Sequence, residues 1–167
     1  MKKFTIFFVI FMQFSVYVSL AQWERGASIR TSSCETLTNI RCLASDGEKL
    51  FLGANNVKCS TNNGMSWITA SIPLQGTIYS INSLKYHNNK FYAATTEGVF
   101  VADDPLFGWA ERNYGINNKY VTSIVLSNNT LYASSYHHGL FQSTNSGITW
   151  RHLNYDSSFI SVKCMSF

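Results

Sequence analysis

The side chains best suited to bind a ligand lie in polar segments between short apolar runs of the sequence. They combine tyrosine rings with charged or imidazole groups, and these residues are Glu97, Tyr114, Lys119, Tyr120, Tyr136, His137, His138, Tyr155 and Asp156. Aromatic rings beside hydroxyl, amide and charged groups suit sugars or extended peptides. Loops are polar in most proteins, however, so the same composition also fits a surface without a ligand.

Three internal repeats position these segments. Trp67, Trp109 and Trp150 recur at spacings of 42 and 41 residues, and the apolar positions between them keep the same period. A fourth copy begins near Ile160 and stops at Phe167. A repeat of about 40 residues indicates a solenoid or a propeller.

Each repeat divides into four short strands, which we name A to D in chain order. Strand A is predicted at 40–44, 81–86 and 121–126, strand B at 50–54, 91–95 and 131–135, and strand C at 57–60, 99–102 and 140–143. Strand D is predicted to begin at each tryptophan. Asp, Asn and Gly between strands A and B tolerate the positive φ of a tight hairpin. The sequence therefore predicts an all-β fold of four-stranded antiparallel propeller blades, at about 40–75, 80–115 and 121–155, with a partial blade at 160–167.

The turn between strands C and D carries the most specific motif. It reads S-x-N-x-G-x-(S/T)-W in the first and third repeats, and the residues are Ser60, Asn62, Gly64 and Trp67, then Ser143, Asn145, Gly147, Thr149 and Trp150. The second repeat lacks the Ser and the Gly but keeps Asp104 at the acidic position and Trp109. Both full copies resemble the Asp-box, S-x-D-x-G-x-T-W. This motif marks the BNR repeats of sialidases, sortilin-type receptors, some glycan-cleaving propellers and photosystem II assembly factor-like propellers.

The resemblance implies a β-propeller in which the box is structural and lies on the face away from the active site. The short Asn or Asp side chain accepts hydrogen bonds from nearby backbone N–H groups. Glycine allows positive φ, and the Trp packs as an apolar wedge. Because successive strands alternate in direction, the D–A and B–C loops share the opposite face, where the ligand candidates lie.

A propeller closes with about 4–8 blades, so three blades and a part predict an incomplete ring. Segment 22–39 contains Trp23, which fits strand D of a last blade whose inner strands lie beyond Phe167. We expect the chain to be the N-terminal portion of a longer protein with its missing blades downstream. An open array, or closure by oligomerisation, is the alternative.

Catalytic chemistry has little support on the ligand face. Glu97 and Asp156 are the only acids expected there, and they belong to different repeats. A mechanism that needs two neighbouring carboxylates therefore has little support. Sialidases need an arginine triad, and Arg41 is a poor mimic because its flanks do not match. Adjacent His137 and His138 would point to opposite faces of a strand, so a shared metal is not expected. No cofactor and no catalytic residue are expected.

The predicted function is an exported, noncatalytic binding or assembly scaffold for a protein or glycan ligand. The alternative is a fragment of a sialidase-like or other glycoside hydrolase. Charged residues make up only 13% of the chain, and the net charge is +4 without a basic cluster outside the N-terminus, so nucleic-acid binding is not expected.

The N-terminus has the pattern of a signal peptide. Lys2 and Lys3 precede an apolar run at 4–20, and small residues precede a predicted cleavage after Ala21. The run is short for a bilayer span, although an uncleaved anchor is the alternative. We expect a signal peptide at 1–21, a secreted, periplasmic or cell-surface location, and no stable membrane span after cleavage.

Export permits disulfides, and the four cysteines, which allow three full pairings, are Cys34, Cys42, Cys59 and Cys164. Burial as small apolar residues fits them equally well.

Overall fold

The computed structural model describes residues 39–73 and 80–153. The expected signal peptide, nearly all of segment 22–39 and the partial blade at 160–167 lie outside these residues. The candidate ligand residues Tyr155 and Asp156 and the cysteines Cys34 and Cys164 also lie outside them.

Three four-stranded antiparallel sheets make up the described chain, each formed by consecutive strands. The first sheet contains β1 (Cys42–Ser45), β2 (Leu50–Gly53), β3 (Val57–Ser60) and β4 (Ile68–Ala70). The second contains β5 (Ile81–His87), β6 (Lys90–Thr95), β7 (Gly98–Ala102) and β8 (Ala110–Glu111). The third contains β9 (Val121–Ser127), β10 (Thr130–Ser135), β11 (Gly139–Ser143) and β12 (Arg151–His152). The expected fold class of four-stranded propeller blades is confirmed.

Strand D starts slightly later than the sequence predicted. It begins one residue after the tryptophan in each blade, at Ile68, Ala110 and Arg151. In the third blade the backbone N–H of Trp150 donates to the carbonyl oxygen of Tyr114 at 2.9 Å instead of to strand C. In the third blade the tryptophan therefore ends the turn rather than starting the strand.

The A–B turns have the backbone expected from their composition. Asn88 and Asn89 have φ of 48° and 57°, and Asn128 and Asn129 have φ of 45° and 62°. Positive φ at both central residues is the requirement of a type I′ hairpin, which asparagine tolerates better than most residues.

The blades pack face to face through two apolar cores. Phe51 of the first blade meets Phe91 of the second, with ring centroids 4.4 Å apart. Val99 of the second blade and Phe141 of the third belong to the other core. Because side chains alternate along a strand, each blade uses one set of positions against the preceding blade and the other set against the following blade.

In the first blade, the side of the sheet that would pack against a preceding blade is partly exposed among the described residues. Leu84 and Ile124, which occupy equivalent positions in strand A of the second and third blades, are 2% and 0% exposed. Leu43, the equivalent residue of the first blade, is 61% exposed. The three described blades thus form an arc and not a closed ring.

The C–D turn of the first blade is held by its serine and asparagine side chains. Ser60 Oγ accepts from the backbone N–H of Gly64 at 2.8 Å, and Asn62 Oδ1 accepts from the backbone N–H of Ser66 at 2.9 Å. Trp67 Nε1 donates to the carbonyl oxygen of Gly64 at 3.1 Å. These bonds satisfy the backbone of the turn from within, which makes it rigid.

The third blade repeats this pattern with one difference. Ser143 Oγ accepts from Gly147 N–H at 3.0 Å, and Asn145 Oδ1 accepts from Thr149 N–H at 3.0 Å. Trp150 Nε1, however, donates to the carbonyl oxygen of Arg112 in the second blade at 2.9 Å. The third tryptophan therefore ties two blades together.

The C–D turn of the second blade is built differently. Asp104 Oδ1 accepts from the N–H of Leu106 at 2.9 Å, and Oδ2 pairs with Lys49 Nζ of the first blade at 3.1 Å. Trp109 Nε1 is buried and has no hydrogen-bond partner among the described residues. Loss of the Ser and the Gly thus replaces an internal network with an ion pair between blades.

Cys42 and Cys59 carry free thiols, and burial raises the pKa of the Cys42 thiol to about 11.

Across 39–73 and 80–153, no helix is long and apolar enough to cross a membrane.

Candidate functional site

A β-bulge near the start of strand A shapes the ligand face. In β5 the pairing steps from Ile81 to Ser83, and in β9 it steps from Val121 to Ser123. The skipped residues are Asn82 and Thr122, and Arg41 holds the same repeat position just before β1. A bulge leaves its extra residue outside the ladder and redirects its side chain.

These three polar residues open into one shared cavity. The cavity has a volume of about 430 Å³, and among the described residues it is lined by Arg41, Asn82, Tyr120, Thr122 and Tyr136. All three blades contribute to it. Its position at the beginning of strand A is the face of the D–A and B–C loops.

A chain of hydrogen bonds connects the blades along the cavity wall. Asn82 Nδ2 donates to the carbonyl oxygen of Val121 in the third blade at 2.7 Å. Arg41 NH1 donates to Asn82 Oδ1 at 3.1 Å. Because the Val121 carbonyl can only accept, it fixes the orientation of the amide and turns its oxygen toward Arg41.

The two tyrosines form the aromatic part of the wall. The rings of Tyr120 and Tyr136 have centroids 5.2 Å apart and an interplanar angle of 42°. Their backbones are also joined, because Tyr136 N–H donates to the carbonyl oxygen of Tyr120 at 2.8 Å. Asn118 accepts from Tyr120 N–H at 2.8 Å and donates to the Tyr136 carbonyl oxygen at 3.2 Å. The pair is therefore fixed in place, and the two residues are 39% and 41% exposed.

Other predicted ligand residues have different surroundings. Lys119 Nζ pairs with Glu111 Oε1 at 2.6 Å. The Lys119 ammonium, with the Asn113 amide, lowers the pKa of the Glu111 carboxyl. Tyr114 is 79% exposed, and its carbonyl oxygen accepts from Trp150. None of these residues lines the cavity.

Glu97 is held in the B–C turn of the second blade. Its backbone N–H donates to Thr95 Oγ1 at 3.0 Å, and its carbonyl oxygen accepts from Asn113 Nδ2 at 3.1 Å. The side chain does not line the cavity.

The two histidines lie at the edge of the aromatic pair. His137 has φ of 64°, and its ring centroid is 3.9 Å from that of Tyr136. The carbonyl oxygen of His138 lies 2.7 Å from His152 Nε2. Within the described ranges, no group of three or more His, Cys, Asp or Glu could hold a metal ion.

The structure thus brings together two of the predicted residues, Tyr120 and Tyr136, and adds three that sequence reasoning missed. Arg41, Asn82 and Thr122 share one repeat position, each directly after a buried or half-exposed aliphatic residue. Three polar residues at one position of three aligned repeats could have indicated a common site. The bulge that points Asn82 and Thr122 into it has no Gly or Pro to mark it.

The cavity offers a cation, amide and hydroxyl groups, and aromatic faces. Arg41 donates one N–H to Asn82, and the other N–H groups of its guanidinium can donate to an acceptor or an anion. Thr122 Oγ1 lies 2.8 Å from Ser134 Oγ and 3.2 Å from the Ser134 carbonyl oxygen. Such a wall can orient a ligand through hydrogen bonds and ring contacts.

No protein-family model and no curated protein matches the chain, but solved structures share its fold. One is YCF48 bound to D1 peptide, with a TM-score of 0.56 and 18% identity over 69% of this chain and 40% of that one. Another is the GH74 xyloglucanase from Xanthomonas campestris, with a TM-score of 0.53 and 16% identity over 72% of this chain and 24% of that one.

A third is the extracellular domain of the putative hybrid two component system BT4673 from B. thetaiotaomicron. Its TM-score is 0.58, with 17% identity over 70% of this chain and 17% of that one. The chain therefore spans at most 40% of each of these three structures. At these identities the likeness shows the fold alone: the chain consists of β-propeller blades.

Proposed function

We propose that this chain is part of an exported, noncatalytic β-propeller of the Asp-box repeat type that binds a protein or glycan ligand. The hydrogen-bond pattern shared by the first and third C–D turns supports the repeat type. The N-terminal sequence at 1–21 supports export.

The observation that carries the proposal is the cavity shared by the three blades. A site assembled from equivalent positions of neighbouring blades needs the propeller arrangement to exist, as expected of a binding face on a repeat scaffold. Arg41 favours an acidic or carbonyl-rich ligand, and the Tyr120–Tyr136 pair favours a flat or apolar portion beside it. The similar propeller YCF48 is bound to D1 peptide, which supports a peptide as the ligand.

A glycoside hydrolase fragment is the second candidate, supported by the likeness to a xyloglucanase. Hydrolysis by two carboxylates requires them about 5–9.5 Å apart around the scissile bond. The described residues that line the cavity include no carboxylate. Binding without hydrolysis is therefore the function that this wall supports.

The test is a screen of the purified protein on peptide and glycan arrays, followed by affinity measurements on the strongest ligand. Arg41→Ala and Tyr136→Ala should each weaken binding at least tenfold, because each removes a group of the cavity wall. Lys90→Ala is the matched control, because Lys90 pairs with Asp103 away from the cavity. Equal affinity for all variants would contradict the proposal, and release of a fluorophore from a sialoside or β-glucan would favour the hydrolase.

A further inference from the structure

The C–D turns display one large apolar side chain per blade. Met65, Phe107 and Ile148 occupy the same position, two residues before the tryptophan that recurs in each repeat, at spacings of 42 and 41 residues. They are 86%, 89% and 52% exposed. Single exposed apolar residues are ordinary, but three at one repeat position form a pattern.

The same backbone bond holds all three residues. The N–H of Met65 donates to the carbonyl oxygen of Asn62 at 3.2 Å, and that of Ile148 donates to Asn145 at 3.2 Å. In the second blade, Phe107 N–H donates to the Asp104 carbonyl oxygen at 3.1 Å. The second turn has therefore lost the Ser and Gly of the motif but keeps both the apolar tip and the bond that positions it.

A flat partner fits the symmetry of the fold. Blades of an ideal propeller are related by rotation about one axis, and rotation leaves the height along that axis unchanged. Equivalent turn tips of an ideal propeller therefore share one height above its face. The tips protrude singly from turns that the same backbone bond holds, so they suit insertion into a yielding layer better than they suit a groove-binding peptide.

The charges around the tips disfavour a strongly anionic partner. Lys49 is paired with Asp104 and Lys90 with Asp103. Asp46 and Glu48 add negative charge at the neighbouring A–B turn of the first blade. The turns of the third blade at 127–130 and 144–149 contain no charged residue. Without a basic cluster, attraction to anionic lipid is not expected, whereas a zwitterionic surface carries no net repulsion.

We infer that this face docks on the interfacial region of a zwitterionic lipid bilayer, with Met65, Phe107 and Ile148 inserted below the headgroups. Binding of this kind grows with the apolar area buried, and three rigidly linked contacts act together where one would be too weak. The cavity lies at the opposite face, so docking would leave it facing away from the membrane.

The experiment is flotation of the purified protein with phosphatidylcholine vesicles. The wild type should float, and a triple variant with Met65→Ser, Phe107→Ser and Ile148→Ser should lose at least nine-tenths of the bound fraction. Tyr114→Ser is the matched control, because Tyr114 is 79% exposed but lies outside these turns. Circular dichroism should show the same unfolding midpoint for the triple variant and the wild type, because exposed side chains contribute little to stability.

Adding phosphatidylglycerol or salt should change the bound fraction less than twofold. Absence of flotation with phosphatidylcholine would overturn the inference, as would binding that requires anionic lipid or that survives the triple variant. Light scattering provides the other decisive result. An oligomer that dissociates in the triple variant would assign this face to a second copy of the chain and contradict the lipid surface.

Discussion

Replacing Gly115 with alanine should destabilise the protein by more than backbone strain alone. Gly115 has φ of 94° in the segment that leads from the second blade to the third. A Cβ at this position would overlap the carbonyl oxygen of Trp150. Gly47 is the matched control, because it has φ of 101° but no atom within 4 Å of the position a Cβ would take.

The two substitutions separate strain from overlap. A non-glycine residue in the left-handed region costs about 1–2 kcal/mol, and this cost applies to both variants. Relieving the overlap at Gly115 must also move Trp150, which donates to the Tyr114 and Arg112 carbonyl oxygens at 2.9 Å each. Each hydrogen bond contributes about 0.5–1.5 kcal/mol to stability. The free energy of unfolding should therefore fall by about 1–3 kcal/mol more in Gly115→Ala than in Gly47→Ala.

Urea unfolding followed by tryptophan fluorescence measures this difference. The free energy of unfolding should fall by about 1–2 kcal/mol for Gly47→Ala, as strain alone predicts. For Gly115→Ala the free energy of unfolding should fall by about 2–5 kcal/mol, because the cost of the lost hydrogen bonds adds to the strain. Equal losses in the two variants would refute the close approach between the 112–116 segment and the third blade.

Three further outcomes follow from the contacts. Trp150→Phe should cost about 1 kcal/mol more than Trp109→Phe in urea unfolding, because Trp150 Nε1 donates to the Arg112 carbonyl oxygen whereas Trp109 Nε1 has no hydrogen-bond partner among the described residues; equal costs of the two substitutions would contradict this. Partial burial opposes the charged form of Asp104, but the Leu106 N–H and Lys49 outweigh it and lower the pKa of Asp104. Its stabilisation is therefore present above the unfolded pKa of about 3.9 and is lost as pH falls through the lower folded pKa. Asp104→Asn should cost up to about 1 kcal/mol at pH 7 and less at pH 3, and an unchanged cost would argue against the pair. Cys42 should react with iodoacetamide at pH 8 far more slowly in the folded than in the unfolded chain, because burial raises the pKa of its thiol to about 11. Peptide mass spectrometry measures the two rates, and equal rates would exclude this burial.

Much of the fold could be predicted because each blade repeats its own local signals. The period of the tryptophans and the Asn-rich hairpin turns specify strands and connections without long-range information. Asn88 and Asn128 have the positive φ that their residue type suggested. Packing between blades follows from strand alternation.

The cavity could be predicted only in part. Tyr120 and Tyr136 lie on loops that the blade topology assigns to one face, so they were found. Asn82 and Thr122 lie at bulges, and strand alternation alone does not reveal a residue that leaves the ladder. Lys119 was expected at the ligand face, but its ion pair with Glu111 depends on a contact that spacing does not encode.

The central claim is that the cavity shared by three blades is the ligand site. Hydrogen–deuterium exchange of the protein, with and without the strongest ligand from the arrays, tests it most directly. A ligand bound in the cavity should slow exchange in the segments that carry the cavity wall, which are 40–42, 81–83, 118–122 and 134–138. Protection confined to the C–D turns at 61–66, 103–108 and 144–149 would contradict it.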